Sequence, residues 1–138
     1  MADTIFTSFK LHIGDGTFDM DADTFKCALL TSDYTIDATD AVFADLSSEV
    51  SGTGYTSGGA TLTNVTWTNS GTTAVLDADD PSWTTATITA RYAVIYKSGT
   101  ANSLTNPLVC LLDFGADKGV TGGTFTVNFN AAGILVLN

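Results

Sequence analysis

Apolar and polar positions alternate with period two through residues 88–97. Ile88, Ala90, Tyr92, Val94 and Tyr96 share one face; Thr89, Arg91, Ala93, Ile95 and Lys97 share the other. β-Branched and aromatic residues at that period predict a strand. Asp79-Asp80-Pro81 breaks the chain upstream and Ser98-Gly99-Thr100 turns it downstream. The pattern predicts a central strand that points Tyr92, Val94 and Tyr96 into the interior. Arg91 and Lys97 are expected to reach solvent or a partner.

The same alternation recurs along the chain. Residues 24–32 place Phe25, Cys27 and Leu29 on one side and Ala28 and Leu30 on the other. A strand apolar on both faces is normally a central one. Further strands are expected over residues 60–67, 73–78, 106–114, 124–129 and 134–137, with a short one over 17–21. Asn69-Ser70-Gly71 reads as a turn and residues 115–123 as a polar loop. Residues 41–46 fit one or two helical turns with Asp40 as the N-cap. Residues 49–59, rich in Ser, Gly and Thr, read as an extended flexible loop carrying Tyr55. About eight short strands at this spacing predict an all-β fold: one β-sandwich or jelly-roll-like domain over residues 1–138.

The N-terminal stretch carries two periods at once. Ile5, Phe9 and Ile13 are spaced for a helix face, while Phe9, Leu11 and Ile13 alternate like a strand. Residues 1–13 are expected to form a short helix or a docking arm. Ile5, Phe6 and Phe9 have no evident place in the strand pattern. They are candidate interface residues, as is Tyr55, an aromatic in a glycine-rich loop. Covering one open end of the sandwich is the competing role for the N-terminal residues.

Charge narrows the function classes. The chain has 15 acidic and 5 basic residues, a net charge of −10. Lys10, Lys26, Arg91, Lys97 and Lys118 are scattered, whereas phosphate backbones require clustered cations, so nucleic-acid binding is not expected. No apolar run approaches membrane-spanning length, and no membrane role is expected. The first residues lack a basic start and an apolar run, so synthesis and folding in the cytosol are expected. Cys27 and Cys110 lie in apolar runs and read as unbridged core thiols.

The chain carries few residues suited to catalysis or metal binding. His12 is the only histidine; beside a glycine turn it reads as a surface residue rather than a triad member. Asp15, Asp19, Asp21 and Asp23 form an acidic run. It lacks the glycine and the bidentate glutamate of a calcium loop, and reads as solvated edge carboxylates. Trp67 and Trp83 read as strand or corner residues, with sugar stacking as the alternative. No catalytic, cofactor-binding or metal-binding residue is assigned.

Several stretches taken in order carry a resemblance. They are Asp23-Thr24-Phe25-Lys26-Cys27-Ala28-Leu29-Leu30-Thr31-Ser32 and Glu49-Val50-Ser51-Gly52-Thr53-Gly54-Tyr55-Thr56-Ser57-Gly58-Gly59-Ala60. Ala78-Asp79-Asp80-Pro81-Ser82-Trp83, Ala90-Arg91-Tyr92-Ala93-Val94-Ile95-Tyr96 and Ala131-Ala132-Gly133-Ile134-Leu135 follow. Together they resemble small virion structural proteins of tailed bacteriophages. The resemblance implies a stand-alone β-sandwich with no catalytic residues, placed on the phage head surface. It implies a capsid decoration, or cement, protein that binds the major capsid protein, as a homo-oligomer and specifically a trimer. A tail or tail-fibre component that binds the host surface is the alternative.

Overall fold

A computed structural model describes residues 2–138. Its strands are β1 (Thr4–Ile5), β2 (Phe25–Leu30), β3 (Ala60–Thr61), β4 (Thr66–Ser70), β5 (Thr73–Asp77), β6 (Ser82–Lys97), β7 (Thr100–Ala101), β8 (Leu104–Thr105), β9 (Leu108–Thr126) and β10 (Leu135–Leu137). Helix α1 (Thr7–His12) follows β1, and Phe43–Asp45 makes one 3₁₀ turn. One antiparallel sheet has the order β1-β9-β6-β2-β3, a second β10-β5-β4, and β7-β8 is a separate hairpin. The fold is all-β and sandwich-like. Four of the ten strands are only two residues long, which is why the apolar pattern predicts fewer.

The main core lies between the two large sheets. Phe25, Cys27, Leu29, Ile95 and Cys110 from the first sheet meet Leu76, Ile134 and Leu135 from the second. Trp83, Ala86, Ile88 and Ala90 extend the same core along β6. A second cluster sits on the opposite face of the first sheet: Ala28, Leu30, Tyr92, Val94, Tyr96, Leu108 and Leu111. It is covered by Phe6, Tyr34, Phe43 and Leu46. Strand β2 is therefore buried on both faces, as its sequence predicts.

The central strand departs from the expected face assignment. The β6–β9 register shifts between Ala90 and Tyr92, whose partners are Lys118 and Asp113. That bulge changes the phase of the alternation. Before it, Ile88 and Ala90 face the main core; after it, Ala93 and Ile95 do. Tyr92, Val94 and Tyr96 consequently point away from the sandwich interior, into the second cluster. A second bulge, at Thr85 with φ 50°, lets Trp83 and Ala86 both face the core. Arg91 pairs with Asp113 at 2.8 Å, and Lys97 with Asp23 at 2.8 Å.

Residues 115–123 are strand rather than the expected polar loop. They pair with the polar half of β6, through Ile88↔Val120, Thr89↔Gly119 and Ala90↔Lys118. Gly115 and Gly122 adopt positive φ at this irregular ladder. Residues 17–21 are irregular, ending in a turn that begins at Met20, and not a strand. Val42, not Asp40, is the N-cap of the 3₁₀ turn, and Asp45 accepts from its backbone N–H.

The two cysteines are free and buried. Both pair in register with Ile95, from opposite sides. Two strand spacings are about 9.5 Å, beyond the reach of a disulfide. Burial pushes both thiols up, Cys110 to about 12.

Candidate functional site

Of the four candidate interface residues, Phe6 and Phe9 are buried, and Ile5 and Tyr55 are partly so. Ile5 pairs with Cys110 at the edge of the first sheet and packs on the main core. Phe6 and Phe9 are fully buried. Phe6 enters the cluster on the outer face of the sheet and Phe9 the main core, where it meets the edge of Phe18 with ring centroids 5.0 Å apart. The backbone is tied as well: Asp3 N–H donates to Leu111 O, Phe6 N–H to Val109 O and Thr7 N–H to Ala38 O. The N-terminal stretch is thus the short helix of the alternatives, preceded by a strand. It covers the fold rather than forming an exposed apolar arm; Met1 lies outside the described residues. The strand alternation read over Phe9, Leu11 and Ile13 is not realised: Phe9 and Leu11 lie in α1 and Ile13 is its C-cap, while β1 covers only Thr4–Ile5.

Tyr55 is pinned, not free. Its hydroxyl accepts from Leu29 N–H at 3.0 Å and donates to Glu49 Oε2 at 2.7 Å. Glu49 also accepts from Ser57 Oγ at 2.8 Å and from Gly58 N–H at 2.7 Å. Tyr96 Oη donates to Gly58 O, and Val50 N–H donates to Leu29 O at 2.9 Å. Strand β3 ends after pairing with Lys26 and Cys27. Val50 and Tyr55 then take up the edge of β2 at Leu29. The expected flexible loop is therefore a structured flap with one carboxylate at its centre. Burial, with a smaller contribution from Glu49, pushes the Tyr55 phenol far up, so the hydroxyl stays protonated and keeps donating. Replacing Tyr55 by Phe removes the partner of Leu29 N–H. It should cost about 1–3 kcal/mol, read from the urea midpoint at unchanged slope.

The polar clusters are also internally engaged. His12 Nδ1 lies 2.6 Å from Asp15 Oδ2, and Thr17 Oγ1 donates to Asp15 Oδ1 at 2.6 Å. The hydroxyl of Thr17 first, then His12, lowers the Asp15 carboxyl to about 2. A nucleophilic triad needs the imidazole between hydroxyl and carboxylate; here the carboxylate is in the middle. Asp19 and Asp23 close a turn, with Asp19 N–H donating to Asp23 Oδ2 at 2.7 Å. Lys97 Nζ lies 2.8 Å from that same oxygen. Among the described residues no group of three or more His, Cys, Asp or Glu side chains is arranged to hold a metal ion.

What remains outside is modest. The large hydrophobic residues with high exposure are Leu11, at 69%, and Ile36, at 39%. Leu11 is one helical turn beyond Thr7, and Ile36 is two residues before Ala38, so the Thr7–Ala38 bond joins their two segments. Sequence reasoning passed over both, because Leu11 was absorbed into a strand alternation and Ile36 stands alone in a polar loop. Of the two tryptophans considered for sugar stacking, Trp83 is buried. Trp67 is partly exposed, in a groove of about 390 Å³ shared with Phe18, Met20 and Asp19. Comparison with family models, curated proteins and solved structures returns no match.

Proposed function

We propose that the chain is a structural protein of a bacteriophage virion, a decoration protein that binds the outer capsid surface and stabilises the head. The observation that carries the reading is the internal engagement of the chain's least regular segments. The N-terminal residues, the glycine-rich flap and the acidic run are all tied into the sandwich, which leaves a small, pre-ordered acidic body. A body of that kind binds by surface complementarity, with little ordering entropy to offset. The order of motifs resembling phage virion proteins supports the same reading.

The contact on this reading includes Leu11 and Ile36, the exposed apolar side chains on the segments that the Thr7–Ala38 bond joins. Quantitative mass spectrometry of purified virions tests it. A copy number on the scale of the major capsid protein is expected; a handful of copies per particle places the chain in the tail instead. L11D should leave the melting curve unchanged and weaken binding to undecorated capsids. Full binding by L11D removes Leu11 from the contact.

A further inference from the structure

We infer that strand β4 is a self-pairing edge, through which two copies of this chain join their three-stranded sheets into one. This does not rest on the capsid reading.

The edges of a sheet present unpaired N–H and C=O groups, and proteins blunt them with charge, bulges or brevity. The edges here differ in this respect. Strands β1 and β3 are two residues long and β10 three. The open side of β9 carries Asp117 and Lys118 and positive-φ glycines at Gly115 and Gly122. Strand β4 has five residues, none charged, no proline, and an unshifted register with β5. From Val65 to Leu76 the chain contains no ionisable side chain at all. In a protein of net charge −10 the strand thus brings no charge of its own to the contact; the nearest carboxylates flank it, Asp77 opposite Thr66 and Asp19 and Asp21 in the groove beside Trp67.

The register says which groups are offered. The β4–β5 hairpin closes on Ser70↔Thr73 across a two-residue turn in which Gly71 has φ 62°. Hydrogen-bonded pairs alternate along an antiparallel ladder. The N–H and C=O of Thr66, Thr68 and Ser70 are therefore directed to β5, and those of Trp67 and Asn69 outward. A two-fold axis through Thr68 sets Trp67 opposite Asn69 of the second copy, with both bonds made twice. It also sets Thr68 opposite Thr68, and Thr66 opposite Ser70. Thr66, Thr68 and Ser70 are exposed on one face, so the pairing aligns hydroxyl with hydroxyl, a favourable cross-strand combination. This self-complementarity selects a second copy over an unrelated strand. The contact is small and therefore weak in solution; on a crowded lattice, high effective concentration would strengthen it. An isologous edge closes at two copies, in contrast to the trimer that the family resemblance implies.

Sedimentation velocity over a wide concentration range tests the inference. The wild-type chain should pass reversibly from monomer to dimer. T68K and T68E each place like charges opposite one another at the axis, and each should raise the dimer dissociation constant about tenfold or more, about 1.4 kcal/mol. Their melting curves should match wild type, because Thr68 is exposed. Mixing T68K with T68E should restore the dimer. A wild-type chain that stays monomeric at the highest concentration overturns the inference and leaves the edge to a strand of another protein. So does an oligomer that survives in T68K and T68E alike.

Discussion

Deleting residues 2–10 unfolds the domain. The segment removes Phe6 and Phe9, both fully buried, together with the β1 edge of the first sheet. Loss of a buried Phe side chain costs about 3–5 kcal/mol, and two such losses approach the whole stability of a domain, about 5–15 kcal/mol. The two losses fall in different places. Phe9 leaves the main core beside Phe18, while Phe6 uncovers the face carrying Val94 and Leu111. Both faces of the same sheet are opened at once, so repacking on one side cannot compensate for the other. Circular dichroism and the melting transition of the truncated chain check this. A cooperative transition near that of the full chain would mean that the N-terminal residues are dispensable, and would return them to the role of an arm. F6A and F9A separate the contributions: each should lower stability by about 3–5 kcal/mol while leaving a folded, measurable protein.

That expectation shows where the sequence was legible. The all-β class and the double-sided burial of β2 follow from period and composition, which left the N-terminal stretch as either a short helix or an arm. What period left open is whether Phe6 and Phe9 form a contact or cover the fold. The partners of Phe6, Tyr92, Val94 and Leu111, are distant in the chain, and Phe18, the partner of Phe9, lies beyond the Gly14-Asp15-Gly16 turn in an irregular segment. Period identifies a face; it does not identify what covers the face. The same gap explains the central strand. Alternation over residues 88–97 is unbroken in sequence, but the bulge at Ala90–Tyr92 arises from extra residues in β9. A bulge imposed by the partner leaves no mark in the strand it rephases.

The flap over residues 49–59 failed for a different reason. Gly, Ser and Thr indicate backbone freedom, and that composition is present. The order comes from Glu49 reaching Tyr55, Ser57 and Gly58, six to nine residues ahead. A single carboxylate collecting three donors has no periodic signature. Residues 115–123 likewise lack an apolar face of their own, and are strand because β6 supplies the ladder.

Gly59 is the position at which that flap is most exposed to substitution, and G59A should destabilise the protein more than any other glycine-to-alanine change in it. Gly59 has φ 80° and immediately precedes Ala60, which pairs with Cys27. A methyl group there would overlap the carbonyl oxygen of Cys27, and would lie 2.6 Å from its carbon and 2.7 Å from Ala28 Cα. These are backbone atoms of the central strand β2, held on the far side by β6; they have no room to retreat. Relief requires β3 to leave β2, which also draws Gly58 from Glu49 and Tyr55 from Leu29. Positive-φ strain of about 1–2 kcal/mol adds to overpacking of about 1–3 kcal/mol, before the loss of the flap's hydrogen bonds. G58A is the matched control. Its φ is 94°, but an added methyl meets only Lys26 Nζ at 3.3 Å and Tyr96 Oη at 3.4 Å, the ends of side chains that can shift. It should therefore show mainly the strain, about 1–2 kcal/mol. Urea unfolding of the two variants side by side separates them: G59A should be unfolded or at least about 3 kcal/mol down, with G58A only about 1–2 kcal/mol down. Equal losses in the two would show that the flap does not lie against β2.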